Sequence, residues 1–306
     1  MKTFLARIRS ERGQAFVFVA VILTGLIGMS ALVVDVGSWY RADRKLQTAA
    51  DAGALAGAQE LPLNQSLAKS TAEQYAKTNY TGIPTPTVTF PNAATIHVKA
   101  KADTPGIFAP VLNSAFKIVT VHADAEAQVS APEILKNVAP IAVYKDYACI
   151  VTNPSCFGKS LTLGFDEDNP FDPTKSKYGL LDLDRDGSIG AGDMKNWLEN
   201  GYPDFLPMNT TYPPANGEKN GIKKQLDDAA AAHRVLLFPV YDTANSTGYH
   251  VIGWAAFVID KVEKWTGKDH VFTGHFVTFI ATDLAAGNPI TDPSKDFGVH
   301  VITLTQ

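Results

Sequence analysis

About twenty consecutive residues without a charge, Ala15 to Val34 (AFVFVAVILTGLIGMSALVV), constrain this chain more than any other feature. An uncharged apolar segment of roughly 18 or more residues is long enough to cross a bilayer core about 30 Å thick. A helix there satisfies its own backbone hydrogen bonds, which lipid cannot do. Two other readings compete: a buried core helix that is apolar all round, and a cleaved secretory signal whose basic region is Lys2, Arg7, Arg9 and Arg12. Signal cores run about 7–15 residues and end at a small-x-small site. This run is longer, and no Ala-x-Ala directly follows it. The expectation is an uncleaved signal anchor.

Arg41, Arg44 and Lys45 follow the span closely, so the bias of positive charge is slight. Orientation rests more on the two cysteines, Cys149 and Cys156, in CIVTNPSC, where Asn153-Pro154 turns the chain back. They read as a short disulfide loop, which persists in an oxidising compartment, or as two buried thiols. The first places residues 1–14 in the cytoplasm as a basic leader and the folded part outside the cell membrane. With 45% hydrophobic and 19% charged residues and a net charge of −4, that part has the composition of a globular protein rather than a disordered one. The near-neutral balance offers no footprint for nucleic acid.

Beyond the span no proline occurs until Pro62, so residues 35–62 are expected to prolong the helix. Trp39 and Tyr40 fall where interfacial aromatics belong. Asp35 lies at the rim of the span, as an interfacial cap or as a partner of Arg41. Ala49, Gly53 and Gly57 recur every four residues and form one row of small side chains. Such a row lets another backbone approach closely. Copies or partner subunits, and the chain's own domain, are both open as the neighbour.

These residues resemble the TadE/TadG-like Flp pilus-assembly family. The likeness runs through Arg12-Gly13-Gln14, the apolar span, Val34-Asp35-Val36-Gly37, Tyr40-Arg41, and Leu46-Gln47-Thr48-Ala49-Ala50-Asp51-Ala52-Gly53-Ala54-Leu55-Ala56-Gly57-Ala58. It covers about residues 10–60 and implies a non-catalytic structural component of Tad/Flp pilus assembly or secretion. Its partners would be the membrane and other pilus-assembly or pilin subunits, met through the N-terminal helix. The Asp-x-Ser-x-Ser run of members with a von Willebrand A-type domain does not occur. The fifth residue after Gly13 is Phe18, where prepilin-peptidase substrates carry Glu.

The pattern further on predicts an α+β fold: the anchor continuing into a long helix, a small pilin-like α+β unit over residues 63–131, and a mainly β domain over residues 132–306. A helix over Ser66–Asn79 leads into strands at Thr87–Phe90, Thr95–Ala100 and Ile118–Val129, with a short turn segment at Phe108–Leu112. In the last strand the apolar positions alternate strictly, as in a half-buried antiparallel strand. Strands are then expected at Val138–Tyr144, Ser160–Gly164, Arg234–Tyr241, Tyr249–Ile259, Thr273–Thr282 and Phe297–Leu304, with a helix over Gly221–Ala232.

The second domain contains one sharp motif, DLDRDGSIGAGD at residues 182–193. Acids at positions 1, 3, 5 and 12 and glycine at 6 match the calcium loop of the EF-hand. Asp182, Asp184, Asp186, the Ser188 carbonyl and Asp193 would converge on Ca²⁺; the alternative is an acidic turn without metal. The seven histidines lie singly, without metal-ligand spacing, and no nucleophile elbow or phosphate-binding glycine loop occurs. The chain is therefore read as a non-enzyme. A calcium-dependent surface adhesin and an extracytoplasmic hydrolase are the rival functions.

Overall fold

Helix α1 (Glu11–Ala58) runs 48 residues without interruption, about 72 Å at 1.5 Å per residue. The computed structural model describes residues 11–150, 153–187, 191–215, 219–282 and 296–305. Alanine, leucine and unbranched side chains dominate α1 after the span, and each favours a helix. Tight bonds from Glu60 N to the Gly57 carbonyl and from Leu61 N to the Ala58 carbonyl close its end, just before Pro62.

Helix α2 (Gln65–Asn79) turns back along α1. Its cap is Asn64, one position before the helix and two before the expected Ser66: the Asn64 side chain accepts from Leu67 N at 2.9 Å. Ala68, Ala72 and Ala76 recur every four residues and are all buried.

The first sheet carries this helical hairpin. Strands β1 (Thr87–Asn92), β2 (Thr95–Pro105) and β3 (Ile118–Ser130) form an antiparallel meander. The β2–β3 ladder is long and keeps register from Thr95↔Gln128 to Pro105↔Ile118. Ala123, Ala125, Ala127 and Val129 are buried, while Val119 and Val121 near the far end of the hairpin are only half-buried. Alanines on the sheet face alanines on α1 and α2, so this core is built by close backbone approach rather than by large side chains.

The bounds expected at residues 62–63 and 131–132 are each crossed. Residues 46–58 of α1 contribute to this first core. Strand β14 (Val299–Leu304) also returns to the first sheet and pairs antiparallel with β3, Val301 opposite Ser130. Strand β13 (Phe279–Ile280) then pairs parallel with β14, giving the order β1-β2-β3-β14-β13. The expected strand Thr273–Thr282 is thus two strands in two sheets. Apolar character continues through the point where the chain changes sheets, so periodicity does not mark the break.

The remaining strands build a seven-stranded sheet. Its spine is β10 (Val235–Asn245), β11 (Gly248–Thr266) and β12 (Asp269–Val277). β6 (Leu161–Asp166) extends it on one side. On the other lie β5 (Ile141–Tyr144), parallel to β10, and β7 (Tyr178–Leu180). The short β9 (Thr210–Tyr212) adds to β11, while β4 (Ile134–Leu135) and β8 (Leu206–Pro207) pair apart. Helices α3 (Ala191–Asn200) and α4 (Lys223–Ala231) contribute Met194, Leu198 and Leu226 to a core that also holds Phe238, Phe257 and Phe272. Phe257 meets Phe276 edge-on at 4.9 Å, the favoured aromatic geometry. The two sheets thus differ in kind, one filled with methyl groups and the other with rings.

Candidate functional site

Three places on this scaffold carry the residues singled out by the sequence. The first is α1 itself. From Phe16 to Val34 its large apolar side chains are exposed, Phe16 at 77% and Met29 at 69%. Soluble surfaces scatter such residues singly, and a continuous sleeve of them needs an apolar partner. α1 is the one helix among the described residues long and apolar enough to cross a membrane.

Past Asp35 the same helix is buried along one face. A Cβ built on Gly53 would lie 2.8 Å from the Ala72 carbonyl oxygen, and one on Gly57 would lie 2.8 Å from that of Ala68 and 2.9 Å from the Ala72 Cβ. Ala49 is fully buried. The neighbour admitted by the row Ala49, Gly53 and Gly57 is therefore α2 of the same chain.

The second place is Asp35, where the two halves of α1 meet. It is completely buried. Its Oδ1 accepts from Ile107 N at 2.9 Å, and its Oδ2 accepts from Phe108 N at 2.8 Å and from Ala109 N. Three successive N–H groups at the start of a tight turn form a concave nest suited to a carboxylate. Arg41 instead donates to the Gly37 carbonyl. Asp35 thus clamps the turn between β2 and β3 onto the anchor helix. Its spacing of more than seventy residues from that turn gives no local signal in the sequence.

The third place is the acidic loop after β7. Asp182, Asp184 and Asp186 gather so that one oxygen of each lies within 4.8 Å of the others. Asp182 is buried and organises the loop: Oδ1 accepts from Arg185 N at 2.9 Å and Oδ2 from Gly187 N at 3.1 Å. Gly187 takes φ 78°, which glycine adopts at no steric cost. Partial burial and the neighbouring Asp182 and Asp186 carboxylates push the Asp184 carboxyl above its ordinary range. Asp193, in the first turn of α3, stands outside this three-carboxylate group. Ser188 lies outside the described residues. The element before the loop is a strand, β7, where an EF-hand has a helix. Three oxygens from alternating carboxylates suit a hard cation such as Ca²⁺, which takes six to eight oxygens, the rest coming from carbonyls or water.

Cys149 and Cys156 are joined as a disulfide, their Cα atoms 5.7 Å apart. Several of the histidines have acidic partners. Buried His300 lies 2.8 and 2.9 Å from the two oxygens of buried Asp296, which also accepts from Gly298 N. His270 meets Glu167 at 2.8 Å, and His250 meets Asp242 at 2.8 Å. The His300 pair spans only four residues, with His300 in β14 and Asp296 just before that strand.

Fold and site together define an α+β protein with a single candidate membrane anchor. The family model described as putative Flp pilus-assembly TadE/G-like matches residues 13–60, which span the apolar sleeve, Asp35 and the glycine row. No curated protein and no solved structure matches the chain.

Proposed function

We propose that this chain is a membrane-anchored, non-catalytic structural component of a Tad/Flp-type pilus-assembly or secretion machinery. Residues 1–14 face the cytoplasm, and both sheets lie outside. The observation that carries this reading is the division of α1, with a sleeve of large exposed side chains over residues 16–34 inside the segment that matches the pilus-assembly family. Other pilus-assembly or pilin subunits would meet it along part of that sleeve, the rest facing lipid, since the glycine row is already filled by α2. The first sheet, with α1 laid across it, plays the part of a pilin-like unit. The disulfide supports an oxidising compartment for the second sheet.

The test is deletion and complementation in the source cell. The expected result is loss of surface pili, with the protein retained in membranes washed with carbonate and its domains cut by protease added outside. Normal pilus output from the deletion strain, or release of the protein by carbonate, overturns the reading.

A second reading, a calcium-dependent binding module on the same anchor, is favoured by one observation: the grouped Asp182, Asp184 and Asp186. If they hold Ca²⁺, the ion stabilises the folded chain by about 2.7 kcal/mol at a hundredfold excess over Kd. Asp184→Ala with Asp186→Ala should abolish the shift by removing two ligand oxygens, and because both side chains are exposed the Asp182 turn stays intact. Acidification should weaken binding, since the raised Asp184 carboxyl takes up its proton at a higher pH than an isolated one. The calcium-free fold moves the other way: Asp184 then contributes stability as pH falls toward and below the ordinary aspartate range. Calorimetry without heat at millimolar Ca²⁺ leaves the loop an acidic turn.

A further inference from the structure

We infer that residues 106–116, the turn joining β2 to β3, are inserted into lipid beside α1, in the leaflet on the side of the folded domains. The inference rests on the reading of residues 15–34 as a membrane span and adds a second element to the membrane-embedded surface.

Composition makes the first case. No charged residue occurs between Asp103 and Lys117. The side chains at the tip are apolar and open: Val111 is 87% exposed, Leu112 74% and Ile107 64%, with Phe108 and Phe116 also exposed. This is a contiguous patch, unlike the single apolar residues ordinary on soluble surfaces.

Position makes the second. The turn lies against the span rather than above it. A cavity of about 420 Å³ has Gly25, Gly28, Met29 and Leu32 on one wall and Val111 and Leu112 on the other. Gly25 precedes Asp35 by ten helical residues, about 15 Å at 1.5 Å per residue. That is roughly half of a hydrocarbon core about 30 Å thick. A turn that reaches Gly25 is therefore at membrane depth whenever the span is. The patch is continuous with the lipid-facing sleeve of α1, which identifies its occupant as acyl chains.

Backbone chemistry makes the third. Irregular chain is tolerated in hydrocarbon only where its polar groups are satisfied within the protein. Here Asp35 takes the N–H groups of Ile107, Phe108 and Ala109. Gly106 N donates to the Lys117 carbonyl, Val111 N to that of Phe108, and Leu112 and Asn113 N to that of Ala109. Ala115 N donates to the Asn113 side chain and Phe116 N to the Asn113 carbonyl. Except at Ser114, the backbone N–H groups of the turn are held within the protein, and its hydrocarbon faces outward. Lys117, exposed at the end of the uncharged run, has a stem long enough to carry its charge toward headgroups.

The test uses the full chain in vesicles of phosphatidylethanolamine and phosphatidylglycerol, with a nitroxide on Val111→Cys; Cys149 and Cys156 are tied up in their disulfide. Val21→Cys on the span and Ser70→Cys on α2 are the lipid and water references. The expected label at 111 collides with oxygen more than with a water-soluble nickel chelate, as at 21 and opposite to 70. A second label, at Ser114→Cys, should rank the same way, so one disturbed variant cannot decide the matter. Chelate-accessible labels at 111 and 114 with a lipid-facing label at 21 overturn this inference and leave the anchor standing. Labels at 111 and 114 shielded from both reagents place a protein neighbour there and also overturn it. A water-facing label at 21 overturns the anchor, and this inference with it.

Discussion

The two halves of α1 are equally helical and solve opposite problems. Before Asp35 the side chains are large and face outward: Phe16, Ile22, Leu26, Ile27 and Met29. After it the buried face is Leu46, Ala49, Ala50, Gly53, Ala54 and Gly57, and a chain neighbour stands against it. The contact faces of both are apolar, and side-chain size separates them. Large aliphatic groups fill contact with a fluid that adapts to them. Small ones admit a neighbouring backbone to van der Waals distance, which a fluid solvent does not require. A helix can therefore announce a change of surroundings by the volume of the residues on its contact face, with no change in secondary structure.

The sharpest way to break this comparison is to shorten a leucine in each half. Leu46→Ala should destabilise the folded domains by about 2–5 kcal/mol, the range for a buried leucine that leaves a cavity. Leu26→Ala should leave their thermal unfolding unchanged, because its side chain is exposed. Equal effects from the two would mean that the span is buried in protein.

Enlarging a glycine comes next. Gly57→Leu should cost about 1–3 kcal/mol through overpacking against α2, whereas Gly37→Leu meets nothing within 4 Å and should be neutral. Chemical unfolding reads the difference. Crosslinking between copies that falls while the Gly57→Leu domain keeps its stability would return the row to an intermolecular role.

The smallest change in global stability is expected at the junction. Asp35→Asn keeps one acceptor oxygen but gives up the charge on which three N–H groups converge. Melting should hardly move, while amide exchange at Ile107, Phe108 and Ala109 accelerates on the order of tenfold, the sign of a local opening. Unchanged exchange at those three amides would show that the turn holds itself in place.

What the sequence made legible follows the range of the interaction. The uncharged run and the strict alternation along β3 are local patterns, and each appears where its period places it. The glycine row declared a close neighbour and could not name it, since α2 and a second copy impose the same requirement of small size. The target of Asp35 and the pairing of β14 with β3 depend on contacts across long stretches of sequence, for which a single chain offers no periodic record. The acidic loop is an intermediate case. Its first three carboxylates gather as their alternation requires, but α3 carries Asp193 apart from them, because a helix begins between the two.

The pairing of β14 with β3 has a consequence for how the protein is made. Roughly 170 residues separate Val301 from its partner Ser130, so during synthesis β3 waits with an unpaired row of N–H and C=O groups. An exposed edge of that kind recruits whatever strand is at hand, and so distant a closure forms slowly. The first domain, though encoded early, therefore becomes complete only after the second has been delivered. A ribosome that stalls midway, or a protease that nicks the intervening chain before docking, would leave a first domain with a sticky edge.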